Sequence, residues 1–220
     1  LKDEDEQWVA NFVNYQKKRS NFQIKGKKLS MYTVLSSLCV LSSVMHYAIR
    51  ERLIDYDPCT KAIKEMKVPE TSRTYLTTEE IERLIDTPTR AKWLKRAFLF
   101  AVFTGLRHGD LKKLRWCDIK DVEGGKRIEI MMNKSKTMLY LPLSQMALKC
   151  LPERLPYMTD QHPVFKYIGS AGPPLRKWME AAGIQKPVCF HSSRHTFVTM
   201  LLTVGVDIYT CSKLCGHANV

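Results

Sequence analysis

The sequence contains no acidic residue between positions 7 and 50, although its 220 residues include 22 Asp and Glu. The same stretch is rich in Lys and Arg, and the net charge of the chain is +13. This excess indicates a polyanionic partner, with nucleic acid favoured over an anionic membrane. A solvated basic face is the alternative, but the complete lack of acids favours a surface that contacts nucleic acid. The residues predicted to form it are Lys17, Lys18, Arg19, Lys25, Lys27 and Lys28.

No Cys-x-x-Cys pair occurs in the sequence, and its seven Cys residues are an odd number. A disulfide-stabilised secreted domain is therefore not expected, and reduced thiols inside the cell fit better. The chain opens on an acidic run, Asp3–Glu6, instead of the basic and apolar pattern of a signal peptide. We expect a cytoplasmic protein.

Charged residues are absent between Leu29 and Ile49, so this stretch has the length of a membrane span. Six Ser or Thr residues and His46 interrupt it, which argues against a membrane partner. Its apolar residues recur at three- and four-residue spacing. The pattern predicts a helix with one buried stripe, and Ser30 is the expected N-cap.

The first part of the chain reads as helices over residues 7–19, 30–50 and 58–66. A polar stretch with one Pro and no apolar periodicity then separates two parts of different character. We predict a helical domain over 1–68, a linker over 69–75 and a second domain over 76–220.

The second part begins with a capping box at Thr77, which predicts the start of a helix. Strand-like composition and turn signals then predict three short strands, and the remaining segments have helical patterns. The predicted fold is mainly α with one small antiparallel sheet. The strands are expected at 116–122, 127–131 and 138–141, and the helices near 93–103, 107–114, 144–151, 173–182, 191–204 and 207–215.

Four short motifs follow one another in this second part. Each is weak alone, because a single Arg, Lys or His is usually a surface or structural residue, but their order and spacing together are specific. They are Thr104-Gly105-Leu106-Arg107, a Lys at position 136 in the second turn of the sheet, His191-Ser192-Ser193-Arg194, and Leu214-Cys215-Gly216-His217.

With these motifs the chain resembles the tyrosine recombinases, of the integrase kind carried by phages and conjugative transposons. The resemblance covers almost the whole chain: the N-terminal helices resemble the family's core-binding domain, and residues 75–220 its α+β catalytic domain. It implies a site-specific recombinase that cleaves and rejoins double-stranded DNA through a 3′-phosphotyrosyl intermediate. It also implies a homotetramer on DNA, no metal or ATP, and no small-molecule substrate. Cys215 is a mild departure from the family pattern.

The resemblance implies roles that fit the chemistry of the residues. Two guanidiniums, Arg107 and Arg194, would bind the scissile phosphate. Lys136 would protonate the departing 5′-oxygen. His191 and His217 would hydrogen-bond the phosphate, and Asp110 would orient Arg107. Lys134 lies on the same turn, but Lys136 is favoured because the Lys-Thr pair before the third strand matches the family. Lys134 and Arg73 are expected to contact DNA.

The family's nucleophile is a Tyr roughly ten residues after the second His, and only three residues follow His217 here. We therefore expect the nucleophile to lie outside this sequence, so that the piece binds DNA without cleaving it. Tyr209 precedes His217 and is interpreted as a packing or surface residue.

Three alternatives remain. A non-catalytic DNA-binding protein could share the fold, and a type IB topoisomerase-like activity would share the chemistry. A zinc site could be drawn from Cys211, Cys215 and His217, with Cys189 and His191 near in sequence. The lack of a Cys-x-x-Cys element makes the zinc site the least favoured, since free Cys is commonly a buried apolar residue.

Overall fold

The structure is a computed structural model that describes residues 2–19, 26, 28–69, 72–133, 135–166 and 171–216. Its contacts divide the chain into two compact units, Leu1–Ser72 and Arg73–Val220. The division falls inside the stretch predicted to be a linker.

The first unit contains three helices in its described residues: α1 (Lys2–Lys18), α2 (Met31–Arg50) and α3 (Cys59–Glu65). Helix α1 begins five residues earlier than the apolar pattern predicts. Helix α2 begins where predicted, and the Ser30 hydroxyl accepts a hydrogen bond from the Thr33 backbone N–H at 3.1 Å. This bond satisfies one of the donors left free at a helix start.

A small apolar core holds these helices together. Val9 and Val13 of α1 pack with Val34 and Leu38 of α2 and with Cys59 of α3, and all five are buried. Helix α2 is long and apolar enough, by length and composition alone, to cross a membrane. Its buried stripe nevertheless packs in this core, as expected for the amphipathic pattern.

Asp57 organises the chain between α2 and α3. Its carboxylate, 4% exposed, accepts hydrogen bonds from the Ser42 hydroxyl at 2.6 Å, the Cys59 N–H at 2.9 Å and the Thr60 hydroxyl at 3.2 Å. Burial alone would raise the pKa of Asp57, but these accepted bonds outweigh it, and the pKa lies below its ordinary value of 3.8.

This arrangement predicts a pH-dependent contribution to stability. Because the folded pKa is depressed, the contribution is present above pH 3.8 and is lost as the pH falls through the folded value. Asp57→Asn should lower the free energy of unfolding by roughly 1–3 kcal/mol at pH 6. Thermal unfolding followed by circular dichroism should show the gap between variant and parent narrowing toward pH 3. The exposed Asp55→Asn is the matched control, and an equal effect of both substitutions would contradict the prediction.

The second unit is mainly helical with one small sheet, and this confirms the predicted fold class. Its first three predicted strand residues form a 3₁₀ turn instead, so the first strand is shorter than expected. The elements are α4 (Thr78–Asp86), α5 (Lys92–Thr104), α6 (His108–Lys113), a 3₁₀ turn (Trp116–Asp118), β1 (Ile119–Val122), β2 (Gly125–Met131), β3 (Met138–Pro142), α7 (Gln145–Cys150), α8 (Gly172–Ala181), α9 (Ser192–Thr203) and α10 (Ile208–Leu214).

The sheet is antiparallel in the order β1-β2-β3. Ile128 pairs with Leu141 and Ile130 with Leu139, and all four side chains are buried on the core face. The intervening residues of β3 are exposed, which is the period-two alternation of a strand with one face in solvent. The turn between β2 and β3 is thereby fixed at the edge of the core.

Helix α5 runs through the centre of this unit. It packs against α7 and α9, and Phe98 and Phe100 are completely buried. The ring of Phe98 meets Trp178 of α8 and Phe190 edge-on, at centroid distances of 6.0 and 5.6 Å. Such edge contacts add to the burial of the rings. The residues that follow α5 therefore start from a rigid base.

Candidate active site

Arg194 lies at the centre of the predicted motifs. It sits in the first turns of α9 and is 5% exposed. Its Nη1 donates to the Gly105 carbonyl oxygen at 2.8 Å, and its Nη2 donates to the Cys215 carbonyl oxygen at 2.6 Å. Burial lowers the pKa of the guanidinium, and Arg107 lowers it further. The His-x-x-Arg motif is thus joined directly to the first and the last motif.

Gly105 is required by its conformation and by its close neighbours. It ends α5 in the left-handed region, with φ at +65°. A Cβ built on it would lie 2.3 Å from Cδ1 of Phe197, a buried residue of α9. Only Gly avoids both the backbone strain and this overlap. The close approach of α9 is what brings Arg194 to the Gly105 carbonyl.

Arg107 follows this turn and precedes α6. Its side chain is 20% exposed, and its Nη1 lies 4.0 Å from Asp110 Oδ2. Both of these atoms are buried, and neither has a hydrogen-bond partner among the described residues. Asp110 is 1% exposed, and its other oxygen, Oδ1, accepts the Asn133 backbone N–H at 2.9 Å. Asp110 therefore lies between Arg107 and the β2–β3 turn.

That turn carries Lys136, which is exposed and has φ at +54°. A positive φ is uncommon for a residue with a side chain. The turn is closed by a bond from the Met132 N–H to the Thr137 carbonyl at 2.9 Å and one from the Lys136 N–H to the Met132 carbonyl at 3.0 Å. Lys134 lies outside the described residues.

His191 lies immediately before α9 and is exposed. Its ring meets that of His195 edge-on, with centroids 4.8 Å apart. Burial lowers the pKa of His195, and His191 and Arg73 lower it further. His195 Nε2 also lies 3.5 Å from Nη1 of Arg73. The predicted Arg73 therefore stands beside the His-x-x-Arg segment.

The last motif is described up to Gly216, and His217 lies outside the described residues. Cys215 is buried and contributes its carbonyl to Arg194, so its side chain fills a packing position. Gly216 has φ at +64°, and a Cβ there would lie 3.1 Å from the side chain of Met132. The end of α10 thus packs on the base of the β2–β3 turn.

The other predicted residues are exposed or lie outside the described residues. Lys17, Lys18 and Arg19 are exposed at the end of α1, and Lys28 is exposed before α2. Lys25 and Lys27 lie outside the described residues. Tyr209 is 57% exposed on α10, with Lys213 Nζ 5.2 Å from its ring centre. Within the described residues no three His, Cys, Asp or Glu side chains are grouped to hold a metal ion.

Sequence reasoning did not find the two carbonyl acceptors of Arg194 or the contact between Asn133 and Asp110. A backbone carbonyl has no residue-type signal, so the acceptors could not have been found. Asn133 carries a weak signal, because Asn is frequent in turns. It lies among lysines that drew attention by their charge.

A family model described as the phage integrase family matches residues 74–220. The chain belongs to this family. The match covers the whole second unit from its second residue onward, including all four motifs. Membership of the phage integrase family agrees with the resemblance inferred from the motifs.

Several tyrosine recombinases are similar to the chain in sequence. The chain is 24% identical to a tyrosine recombinase XerC-like protein of Caldanaerobacter subterraneus subsp. tengcongensis, over 96% of this chain and 65% of that protein. It is 28% identical to the tyrosine recombinase XerD of Listeria innocua, over 86% of this chain and 68% of that protein. The chain therefore spans about two thirds of the length of these curated relatives.

Two solved structures share the fold. The Tn1549 transposon integrase in complex with circular intermediate DNA superposes with a TM-score of 0.70 at 17% identity, covering 100% of this chain and 78% of that one. A lambda integrase dimer bound to a COC′ core site gives 0.70 at 21% identity, covering 97% and 76%. At these identities the likeness establishes the fold.

Gly105→Ala tests the close approach of α5 and α9. The substitution forces a side chain into the left-handed region and against Phe197, so we expect a loss of about 2–4 kcal/mol in the free energy of unfolding. Gly124→Ala is the matched control, because Gly124 has φ at +83° but no heavy atom within 4 Å of a Cβ. It should lose only about 1–2 kcal/mol. Equal losses in urea unfolding would contradict the packing explanation.

Proposed function

We propose that this chain contains the DNA-binding and catalytic parts of a site-specific tyrosine recombinase. The single observation that carries the proposal is the pair of guanidiniums from two distant motifs. Arg194 is fixed by two carbonyls, and Arg107 keeps a buried Nη1 with no hydrogen-bond partner among the described residues. Buried cationic donors that are fixed before substrate arrives are what a phosphodiester transition state needs.

The proposed step requires no metal or ATP. A tyrosine hydroxyl attacks the phosphorus while its proton passes to His191, the bond to the 5′-oxygen breaks, and a 3′-phosphotyrosyl bond forms. Arg107 and Arg194 bind the nonbridging oxygens. The departing 5′-oxygen takes a proton from a lysine of the β2–β3 turn, and we assign this role to Lys136. A 5′-hydroxyl then reverses the step and rejoins the strand, because the new bond conserves the energy of the old one.

The other predicted residues have supporting roles in this proposal. His191 and His217 hydrogen-bond the phosphate, and Asp110 orients Arg107 across the 4.0 Å that separates them. The first unit acts as the core-binding domain, with its boundary in the stretch 69–75. Its basic residues, together with Arg73 and Lys134, contact the DNA backbone. We expect a homotetramer on two DNA segments, acting in the cytoplasm of a bacterium.

The activity is tested with the full-length natural protein and its own DNA site, nicked so that the cleaved product escapes. We expect a covalent protein–DNA adduct that survives denaturation. Arg107→Ala and Arg194→Ala should lower its rate by at least about 100-fold, as expected for lost transition-state donors. Tight binding without any adduct would favour the alternative, a non-catalytic DNA-binding protein. Relaxation of supercoils without joining of two sites would indicate topoisomerase-type chemistry.

The lysine of the β2–β3 turn is identified by a change of leaving group. A DNA strand with sulfur in place of the 5′-bridging oxygen departs as a thiolate and does not need a proton. Lys136→Ala should therefore cleave the oxygen substrate about 100-fold more slowly than the parent protein does. It should cleave the sulfur substrate at the parent rate. Lys134→Ala is the matched control on the same turn. Rescue of Lys134→Ala instead would move the assignment to that residue.

A further inference from the structure

Asn133 joins the β2–β3 turn to helix α6 through three hydrogen bonds. Its backbone N–H donates to Asp110 Oδ1 at 2.9 Å. Its side-chain Nδ2 donates to the Gly109 carbonyl at 3.4 Å, and its Oδ1 accepts from Lys113 Nζ at 2.6 Å. All three partners belong to α6. Asn133 stands directly before Lys134 and three residues before Lys136.

The attachment through Asn133 matters because the described residues at the tip of the turn have few other contacts outside the turn. Lys136 and Thr137 are exposed, and the hydroxyl of Ser135 hydrogen-bonds that of Thr137, at 2.8 Å, within the turn. Below the tip, Met132 is completely buried and packs under Gly216. Among the described residues of the turn, Asn133 is thus the one nearest the tip that hydrogen-bonds another element.

The same contacts connect the turn to Arg107. Asp110 faces Asn133 with one carboxylate oxygen and Arg107 with the other. A displacement of the turn relative to α6 would therefore change the distance between its lysines and the phosphate that Arg107 is proposed to bind. An error of about 1 Å in the placement of a reacting group costs on the order of 100-fold in rate.

We propose that Asn133 is a positioning residue, which holds the proton-donating lysine of the β2–β3 turn in register with Arg107. The inference rests on the proposed function and adds a residue to it. Asn133 itself touches neither phosphate nor leaving group. Its side-chain amide fixes the position of the turn, and the turn fixes the position of the lysine. This holds whether the proton donor is Lys136 or Lys134.

The amide geometry distinguishes what substitutions would do. Asn133→Ala removes both side-chain bonds and keeps the backbone bond to Asp110. Asn133→Asp keeps an acceptor for Lys113 and loses the donor to Gly109, so it should retain part of the positioning. Lys113→Met leaves Asn133 in place and removes only its 2.6 Å bond. Ser135→Ala is the matched control, because its described bond stays within the turn.

The experiment measures adduct formation by the full-length protein on the oxygen and the 5′-bridging sulfur substrates. Asn133→Ala should cleave the oxygen substrate about 10- to 100-fold more slowly than the parent and the sulfur substrate at the parent rate. Asn133→Asp and Lys113→Met should show the same selective loss to a smaller degree, and Ser135→Ala should show none. Arg107→Ala provides the contrast, since loss of phosphate binding slows both substrates.

The outcomes separate the two proposals. A parent protein that forms no adduct on either substrate overturns the proposed function and this inference together. If the parent cleaves, a folded Asn133→Ala that cleaves at the parent rate, or is slowed equally on both substrates, overturns only the role of Asn133. Because an unfolded variant would also be slow on both substrates, Lys113→Met decides the matter if Asn133→Ala does not fold: selective loss supports the inference, and its absence overturns it.

Discussion

The hydrogen bonds from Arg194 to the carbonyls of Gly105 and Cys215 are the contacts on which the second unit depends. They join a side chain of α9 to carbonyls that lie 89 and 21 residues away along the chain. A buried guanidinium is costly unless its donors are satisfied, so the fold has to bring both carbonyls to it. The glycine turn after α5 and the end of α10 are placed accordingly. The same bonds leave the guanidinium fixed before any substrate arrives.

A second layer of contacts connects the β2–β3 turn to this centre. Asn133 attaches the turn to α6, and Met132 attaches its base to Gly216. The four motifs are separated by up to about a hundred residues in sequence. These contacts connect each motif, or the turn that carries it, to at least one other. Removing any one attachment disturbs more than the motif that contains it, because residues in one hydrogen-bonded network do not act independently.

Much of this could be predicted from the sequence, and the rest could not for physical reasons. Helix periodicity and the capping box gave the elements of the second unit, since these signals are local. Short strands were predicted with their register open, and residues 116–118 were taken for strand because the segment 116–122 as a whole has strand composition. The motifs indicated Arg107 and Arg194, but not what holds them. Backbone carbonyls and turn attachments depend on tertiary placement, which composition does not report.

The contact made by Cys215 determines which substitutions this position can accept. Cys215 departs from the family pattern, yet it serves Arg194 through its carbonyl oxygen, which every residue possesses. Its side chain is 1% exposed and only has to be apolar and of suitable volume. Substitution by another small apolar residue would therefore keep the contact with Arg194 and leave the rate of the proposed reaction unchanged. At Gly105 and Gly216 the backbone itself is the constraint, and no comparable freedom exists.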